Sequence, residues 1–286
     1  MKNKIHDQLE KLKSSTRREI HAVLDNIFKG DFDVSFPLIE ATSSQQMWRV
    51  VRKETRGNNM ADFAYPPKPE YCFLYRCNFK NEQVFYGSVS PGTCLNEIKD
   101  LQRREHVRLG LWKARREFVY FHTCNEPRNS TEKIVFSELA SLFSNEGDQY
   151  YEQTAGITDW VFSQEFPNIS VSGIAYPSTL PSKNGERPLN FALQKSYVDG
   201  GHLSLDGWYQ YEVAEKHSDK YVVREICKGA SKEGILDFNK ELEWVDTPES
   251  SVLVPPDTSV KFQWDGNFWI ADKDLPGIKT LRNIGR

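Results

Sequence analysis

Residues 76–98 read Arg76-Cys-Asn-Phe-Lys-Asn-Glu-Gln-Val-Phe-Tyr-Gly-Ser-Val-Ser-Pro-Gly-Thr-Cys-Leu-Asn-Glu97-Ile. Residues 84–86 are β-branched or aromatic and Gly87 follows them, a pattern that predicts a short buried strand. Ser90 and Pro91 then predict the start of a helix, because the serine can cap free N–H groups and proline lacks only a donor that the first turn does not use. The stretch therefore predicts a loop, a strand and a helix in succession.

Three polar residues of this stretch are not needed for folding. Arg76 precedes the predicted strand, Tyr86 lies at its end, and Glu97 falls in the second turn of the predicted helix. Apolar residues at a spacing of three continue from Leu95, and we expect the helix to run on through residues 99–108. The three polar residues are therefore candidates for a functional site.

The rest of the chain up to about residue 200 intersperses strands and helices. Trp48-Arg49-Val50-Val51 predicts a strand whose arginine reads most simply as an exposed edge residue. Residues 54–75 are irregular and Pro-rich, as functional loops often are. Further strands are predicted at 117–122, 171–176 and 189–193, and helices at 131–145 and from 150 to before Pro167. This order predicts an α+β fold.

Both ends of the chain differ from this middle part. Residues 4–29 predict a helix with one apolar stripe, which the Ser14-Ser15-Thr16 run can divide in two. The helix is either an extension packed on the main domain or an arm that binds a partner or forms a dimer. After residue 200 the pattern predicts mostly antiparallel β-structure, with a hairpin turn at Asp265-Gly266. We therefore divide the chain into a helical extension (1–45), a central domain (46–200) and a β-rich region (201–286).

Composition excludes several classes of protein. The 286 residues are 38% hydrophobic and 27% charged, which allows a packed core, and the net charge of -3 favours neither nucleic acid nor membrane as a partner. No apolar run approaches the ~18 residues of a membrane span. The N-terminus lacks an apolar signal core, and the five cysteines have no metal-site spacing. We therefore expect a cytoplasmic protein without a catalytic metal.

The order of these motifs resembles the RES-domain family, which is named for an arginine, a glutamate and a serine. The resemblance covers about residues 46–195. Its pieces are Trp48-Arg49-Val50, Tyr75-Arg76-Cys77-Asn78, Val84-Phe-Tyr-Gly-Ser88, Cys94-Leu-Asn-Glu97-Ile, Glu152-Gln-Thr154 and Gly173-Ile-Ala-Tyr-Pro-Ser178.

The resemblance implies an ADP-ribosyltransferase-like RES core that consumes NAD⁺. Many members of the family are toxins that deplete the cell of NAD⁺ and are paired with an antitoxin, so it also implies an antitoxin as a partner. The expected reaction is cleavage of the nicotinamide–ribose bond, as a glycohydrolase or a phosphorylase, with NAD⁺ as the substrate. That cleavage passes through an oxocarbenium-like centre, as in glycoside hydrolysis.

The resemblance also implies a role for each candidate residue. Glu97 would stabilise the positive centre and hold a ribose hydroxyl. Arg49 and Arg76, the latter with Asn78, would bind the phosphates, because a guanidinium matches paired phosphate oxygens. Tyr86 would stack on the nicotinamide or ribose, and Ser178 would hydrogen-bond at the same end. The implied catalytic set is Glu97, Arg49, Tyr86 and Ser178, and the implied binding set is Arg49, Arg76, Asn78, Tyr86 and Ser178.

Three alternatives remain open. Ser178 follows Pro177 and can be read as a turn serine that bonds its own backbone. The chain could transfer ADP-ribose to a protein, with the aromatic C-terminal region offering the acceptor surface, or could be a non-catalytic nucleotide-binding module. The sequence does not decide whether water, phosphate or a protein side chain attacks the ribose, nor the purpose of residues 1–45 and 201–286.

Overall fold

A computed structural model describes residues 2–52, 59–98, 101–166, 169–179, 188–217, 220–254, 262–264 and 269–271. Its α-helices are α1 (Lys2–Ser14), α2 (Arg17–Lys29), α3 (Pro91–Glu97), α4 (Ser130–Ser144), α5 (Tyr151–Phe162) and α6 (Lys195–Tyr197). The first strands are β1 (Leu38–Ala41), β2 (Gln46–Arg52), β3 (Val84–Ser88), β4 (His106–Ala114), β5 (Phe118–His122), β6 (Val171–Pro177) and β7 (Leu189–Gln194). They are followed by β8 (Leu203–His217), β9 (Lys220–Ile235), β10 (Val245–Val254), β11 (Phe262–Trp264) and β12 (Trp269–Ala271).

One large mixed sheet forms the centre of the protein. Ten strands pair in the order β1-β5-β6-β7-β3-β2-β4-β8-β9-β10. Strands β5 and β6 run parallel, and the other neighbours in this sheet are antiparallel. With the helices on its face, this sheet confirms the expected α+β class.

The N-terminal helices belong to the main hydrophobic core. The predicted break is confirmed, because α1 ends at Ser14 and α2 begins at Arg17. Thr16 caps α2, and its N–H donates to Glu19 at 2.8 Å. The predicted apolar stripe is buried against α4, α5 and the sheet; it comprises Ile5, Leu9, Leu12, Ile20, Val23, Leu24 and Ile27. The extension thus packs on the main domain, and an oligomer formed through it would have to use its charged face.

The helix expected to run from Pro91 through Arg108 is wrong. Helix α3 ends at Glu97, and Ile98 already has extended backbone angles. Arg104 has a positive φ of 67°, which marks a tight turn before β4 begins at His106. Strand β4 pairs with β2 on one side and β8 on the other, so the inter-strand hydrogen bonds override the helical pattern.

Gly110 shows why β4 must pass close to its neighbours. A β-carbon at this position would lie 2.9 Å from Nε1 of Trp112 and 3.0 Å from Leu205. Trp112 and Leu205 are both fully buried. A glycine in the middle of β4 therefore lets these two large side chains pack over the strand.

The C-terminal strands confirm the predicted antiparallel β-structure. β8 pairs with β4, so β8, β9 and β10 extend the central sheet instead of forming a sheet of their own. β11 and β12 form a separate antiparallel pair, with Trp264 opposite Trp269. The turn predicted at residues 265–266 lies outside the described residues.

The burial of α2 predicts that this helix is essential for stability. Replacing Leu24, which is fully buried, with alanine should lower the free energy of unfolding by about 2–5 kcal/mol in a denaturant titration. The control is Arg18→Ala, on the exposed side of α2, which should change it by less than about 0.5 kcal/mol. Equal effects of the two variants would show that the stripe does not pack as described.

Candidate functional site

The central sheet opens between β2 and β3. These neighbours share a single paired position, Trp48 opposite Ser88, whereas β3 pairs along its whole length with β7. Arg49 reaches across the opening, and its Nη1 donates to the carbonyl oxygen of Tyr86 at 2.9 Å. Side chains from the β3 side and from the β2 side of the sheet can therefore both reach the gap between these strands.

A cavity of about 340 Å³ lies at this opening. Five of the six residues predicted for the site line it: Arg49, Arg76, Asn78, Tyr86 and Glu97. Tyr151, from the first turn of α5, also contributes to its wall. The sixth predicted residue, Ser178, reaches the cavity through its contact with Glu97. The structure therefore brings together residues that lie up to 129 positions apart.

Glu97 is the last residue of α3, and local interactions fix its position. Ser90 caps the helix by accepting a hydrogen bond from the N–H of Thr93 at 3.1 Å. Cys94 anchors α3 to β2, because its Sγ donates to the carbonyl oxygen of Trp48 at 3.0 Å. Leu95 is buried in the same core cluster as Trp48. A short capped helix that is anchored to β2 thus presents Glu97 to the cavity.

Two donors from other elements hold the carboxylate of Glu97. The Ser178 hydroxyl donates to Oε1 at 2.6 Å, and Nδ2 of Asn190 donates to the same oxygen at 2.6 Å. Within the described part of the chain, the second oxygen, Oε2, has no hydrogen-bond partner. Hydrogen bonds to an ionised carboxylate are short and strong, so this arrangement holds the group in one orientation with one oxygen free for a ligand.

Ser178 and Asn190 lie where β6 ends and β7 begins. Ser178 is fully buried, and its N–H donates to the carbonyl oxygen of Pro188 at 2.8 Å. Its hydroxyl donates to Glu97, so Ser178 has a partner distant in sequence besides any role in the turn. Asn190 was not predicted from the sequence. The signal that could have found it is a buried amide in an otherwise apolar strand, Leu189-Asn-Phe-Ala-Leu193.

Arg49 is not an edge residue, because β2 lies between β3 and β4 inside the sheet. The residue is half-buried, and among the described residues its Nε is buried without a hydrogen-bond partner. Burial lowers the pKa of Arg49 to about 10, so the side chain remains charged at neutral pH. A buried cation with an unused donor favours an anionic ligand in the cavity.

Arg76 already has a structural role. Its Nη1 donates to the carbonyl oxygen of Phe143, and its Nη2 donates to that of Asn145 at 3.1 Å. These carbonyls lie at the C-terminal end of α4, where a cation is favourable. The guanidinium also lies 5.3 Å from the centre of the Tyr151 ring. Arg76 lines the cavity, and its binding to phosphate stays a prediction.

The polar groups of Tyr86 and Asn78 bind each other. The Tyr86 hydroxyl accepts from the N–H of Cys77 at 2.8 Å and donates to Oδ1 of Asn78 at 2.7 Å. Nδ2 of Asn78 donates to the carbonyl oxygens of Phe73 and Phe79, both at 2.8 Å. Burial raises the pKa of Tyr86 well above its ordinary value, so the hydroxyl stays neutral. This leaves the Tyr86 ring, rather than its hydroxyl, to contact a ligand.

The described residues contain neither a candidate metal-binding group nor a candidate membrane-spanning helix. They contain no group of three or more His, Cys, Asp or Glu residues that could hold a metal ion. Nor does any helix there combine the length and apolar character needed to cross a membrane. Comparisons with protein-family models, with curated proteins and with solved structures find no match to this chain.

The contacts of Tyr86 predict a structural effect for the loss of its hydroxyl. Tyr86→Phe should lower the free energy of unfolding by about 1–3 kcal/mol, because it leaves the Cys77 N–H and Oδ1 of Asn78 unsatisfied. Tyr75→Phe is the matched control, since Tyr75 is 48% exposed, and should change this energy by less than about 0.5 kcal/mol. A Tyr86→Phe protein as stable as the wild type would contradict the described network.

Proposed function

We propose that this protein degrades NAD⁺ by cleaving the bond between nicotinamide and ribose. The observation that carries the proposal is the meeting of a half-buried arginine, Arg49, and a carboxylate, Glu97, in one cavity at the opening of the sheet. NAD⁺ combines a pyrophosphate with a ribose that becomes cationic when nicotinamide leaves. A cavity with a fixed positive group and a fixed negative group complements both features.

In this proposal Glu97 acts on the reacting ribose. Its free oxygen, Oε2, would accept a hydrogen bond from a ribose hydroxyl and stabilise the oxocarbenium-like centre as the nicotinamide bond breaks. The electron pair of that bond leaves with nicotinamide, which becomes neutral. Ser178 and Asn190 hold Oε1, so they are positioning residues that keep the carboxylate aimed before the substrate arrives.

Arg49 and the Tyr86 ring serve binding in the same proposal. The guanidinium of Arg49, which lines the cavity, would donate to a phosphate oxygen. The Tyr86 ring would lie against the nicotinamide or ribose, because its hydroxyl is fixed by Cys77 and Asn78. Arg76 and Asn78 form a further part of the cavity wall.

The finer fold belongs to the same proposal. A sheet that opens between two strands, with a carboxylate on a helix beside the opening, supports an ADP-ribosyltransferase-like RES core. The role as a toxin that depletes cellular NAD⁺, held in check by an antitoxin protein, follows from the resemblance of residues 46–195 to that family. Water or phosphate is the proposed acceptor of the ribose.

The first test replaces the carboxylate of Glu97. Glu97→Gln should reduce nicotinamide release from NAD⁺ by about 100-fold or more, because an amide can still accept from Ser178 and Asn190 but cannot stabilise a cation. Release is measured by chromatography with and without phosphate, and a phosphate-dependent rate identifies phosphorolysis. The control, Glu70→Gln, changes an exposed acid that does not line the cavity and should leave the rate unchanged. Full activity of Glu97→Gln would refute the proposal.

A second test separates positioning from binding. Ser178→Ala should lower kcat by about tenfold and change KM little, because the substrate still meets Arg49 while Glu97 loses one of its two donors. Ser196→Ala, at an exposed serine, is the control. A change confined to KM would instead place Ser178 in direct contact with the substrate.

A further inference from the structure

The charged residues of the cavity can be ordered by the position along β3 at which each one makes its contact. At the Ser88 end, Asn190 pairs with the strand and holds Glu97. In the middle, the carbonyl oxygen of Tyr86 binds Arg49. The opposite end begins at Val84, which lies about 13 Å from Ser88 at the usual rise of a strand. Val84 and Tyr86 of this strand line the cavity.

A second carboxylate, that of Glu82, lines the cavity beyond the Val84 end. Its Oε2 accepts from the N–H of Phe79 at 2.9 Å, which fixes the side chain. Oε1 lies 3.3 Å from Nη1 of Arg17, at the start of α2. The cavity thus has an acidic residue at each end and arginine between them.

Arg17 does not cancel the charge of Glu82. Its Nε and Nη2 donate to the two carboxylate oxygens of Asp159 at 2.9 and 2.7 Å, and His21 also contacts Asp159. The hydrogen-bonded pairing with Asp159 is the largest cause that raises the pKa of Arg17, and Glu82 contributes less. Glu82 and Asp159 share this guanidinium, so Arg17 offsets the charge of Glu82 only in part.

Tyr75 offers an aromatic surface in the same cavity wall. Its side chain is 48% exposed although it lines the cavity, and its backbone is pinned because its N–H donates to the carbonyl oxygen of Asn78 at 3.1 Å. An exposed aromatic ring on a fixed backbone is suited to stacking on a purine base.

We propose that the Glu82 end binds the adenosine half of the substrate and that Glu82 selects NAD⁺ over NADP⁺. This inference rests on the proposed function. NAD⁺ has a ribose on each side of its pyrophosphate, and the acid–arginine–acid order of the cavity matches that arrangement. A carboxylate accepts hydrogen bonds from the adenosine ribose hydroxyls, as in other dinucleotide sites, whereas the 2′-phosphate of NADP⁺ would meet a like charge.

The kinetic test compares the two dinucleotides. We expect the wild type to release nicotinamide from NAD⁺ with a kcat/KM at least about tenfold above that for NADP⁺. Glu82→Gln should reduce this ratio by about tenfold, because glutamine keeps the bond from the Phe79 N–H but removes the charge. Glu70→Gln, an exposed acid outside the cavity wall, should leave the ratio unchanged. An unchanged ratio in Glu82→Gln would overturn the inference.

A binding test keeps this inference separate from the proposed reaction. By calorimetry, the wild type should bind AMP about tenfold more tightly than adenosine 2′,5′-bisphosphate, and Glu82→Gln should remove most of the difference. If the protein binds AMP more tightly than adenosine 2′,5′-bisphosphate but releases no nicotinamide, the proposed reaction is refuted and the adenosine site stands. Release with equal binding of the two nucleotides, or with binding of neither, would refute the adenosine site and leave the reaction standing.

Discussion

The single pairing between β2 and β3 is the constraint on which the site depends. A continuous ladder of hydrogen bonds at this place would close the sheet and leave no space for a ligand. Trp48 and Ser88 join the strands at one point, and the contact from Arg49 to the Tyr86 carbonyl bridges the remainder. The same arginine that spans the gap also lines the cavity, so one side chain both bridges the two strands and brings a positive charge to the cavity.

Hydrogen bonds with partners distant in sequence fix the side-chain positions of the other site residues. A buried polar atom without a partner costs free energy, and most such atoms here are satisfied by residues distant in sequence. Glu97 is held by Ser178 and Asn190, and Arg76 is held by the last carbonyls of α4. Each of these contacts fixes a side chain before a ligand is present. Among the residues that line the cavity, within the described part of the chain, Arg49 has a buried Nε without a hydrogen-bond partner.

The two terminal regions support this site from opposite sides. Helices α1 and α2 pack on α4 and α5, and Arg17 at the start of α2 reaches the cavity wall at Glu82. At the other side of the opening, β8, β9 and β10 continue the sheet beyond β4. Apolar residues of β4 pack with residues of β8 in two separate core clusters. Neither region could be assigned a role from its own pattern, because both act through contacts with the central part of the chain.

The sequence by itself determined the local structure around the site. Capping by Ser90 and Pro91, the apolar run of β3 and the stripe of α2 depend on neighbouring residues, so their patterns predicted them correctly. Tertiary structure decided what depends on distant partners. The segment from 99 to 108 was predicted as helix, yet β4 begins at His106 because β2 and β8 supply its hydrogen bonds. In the same way, the pairing of Asn190 with Glu97 and the approach of Glu82 to Arg17 join residues far apart in the chain, and only the folded sheet brings them together.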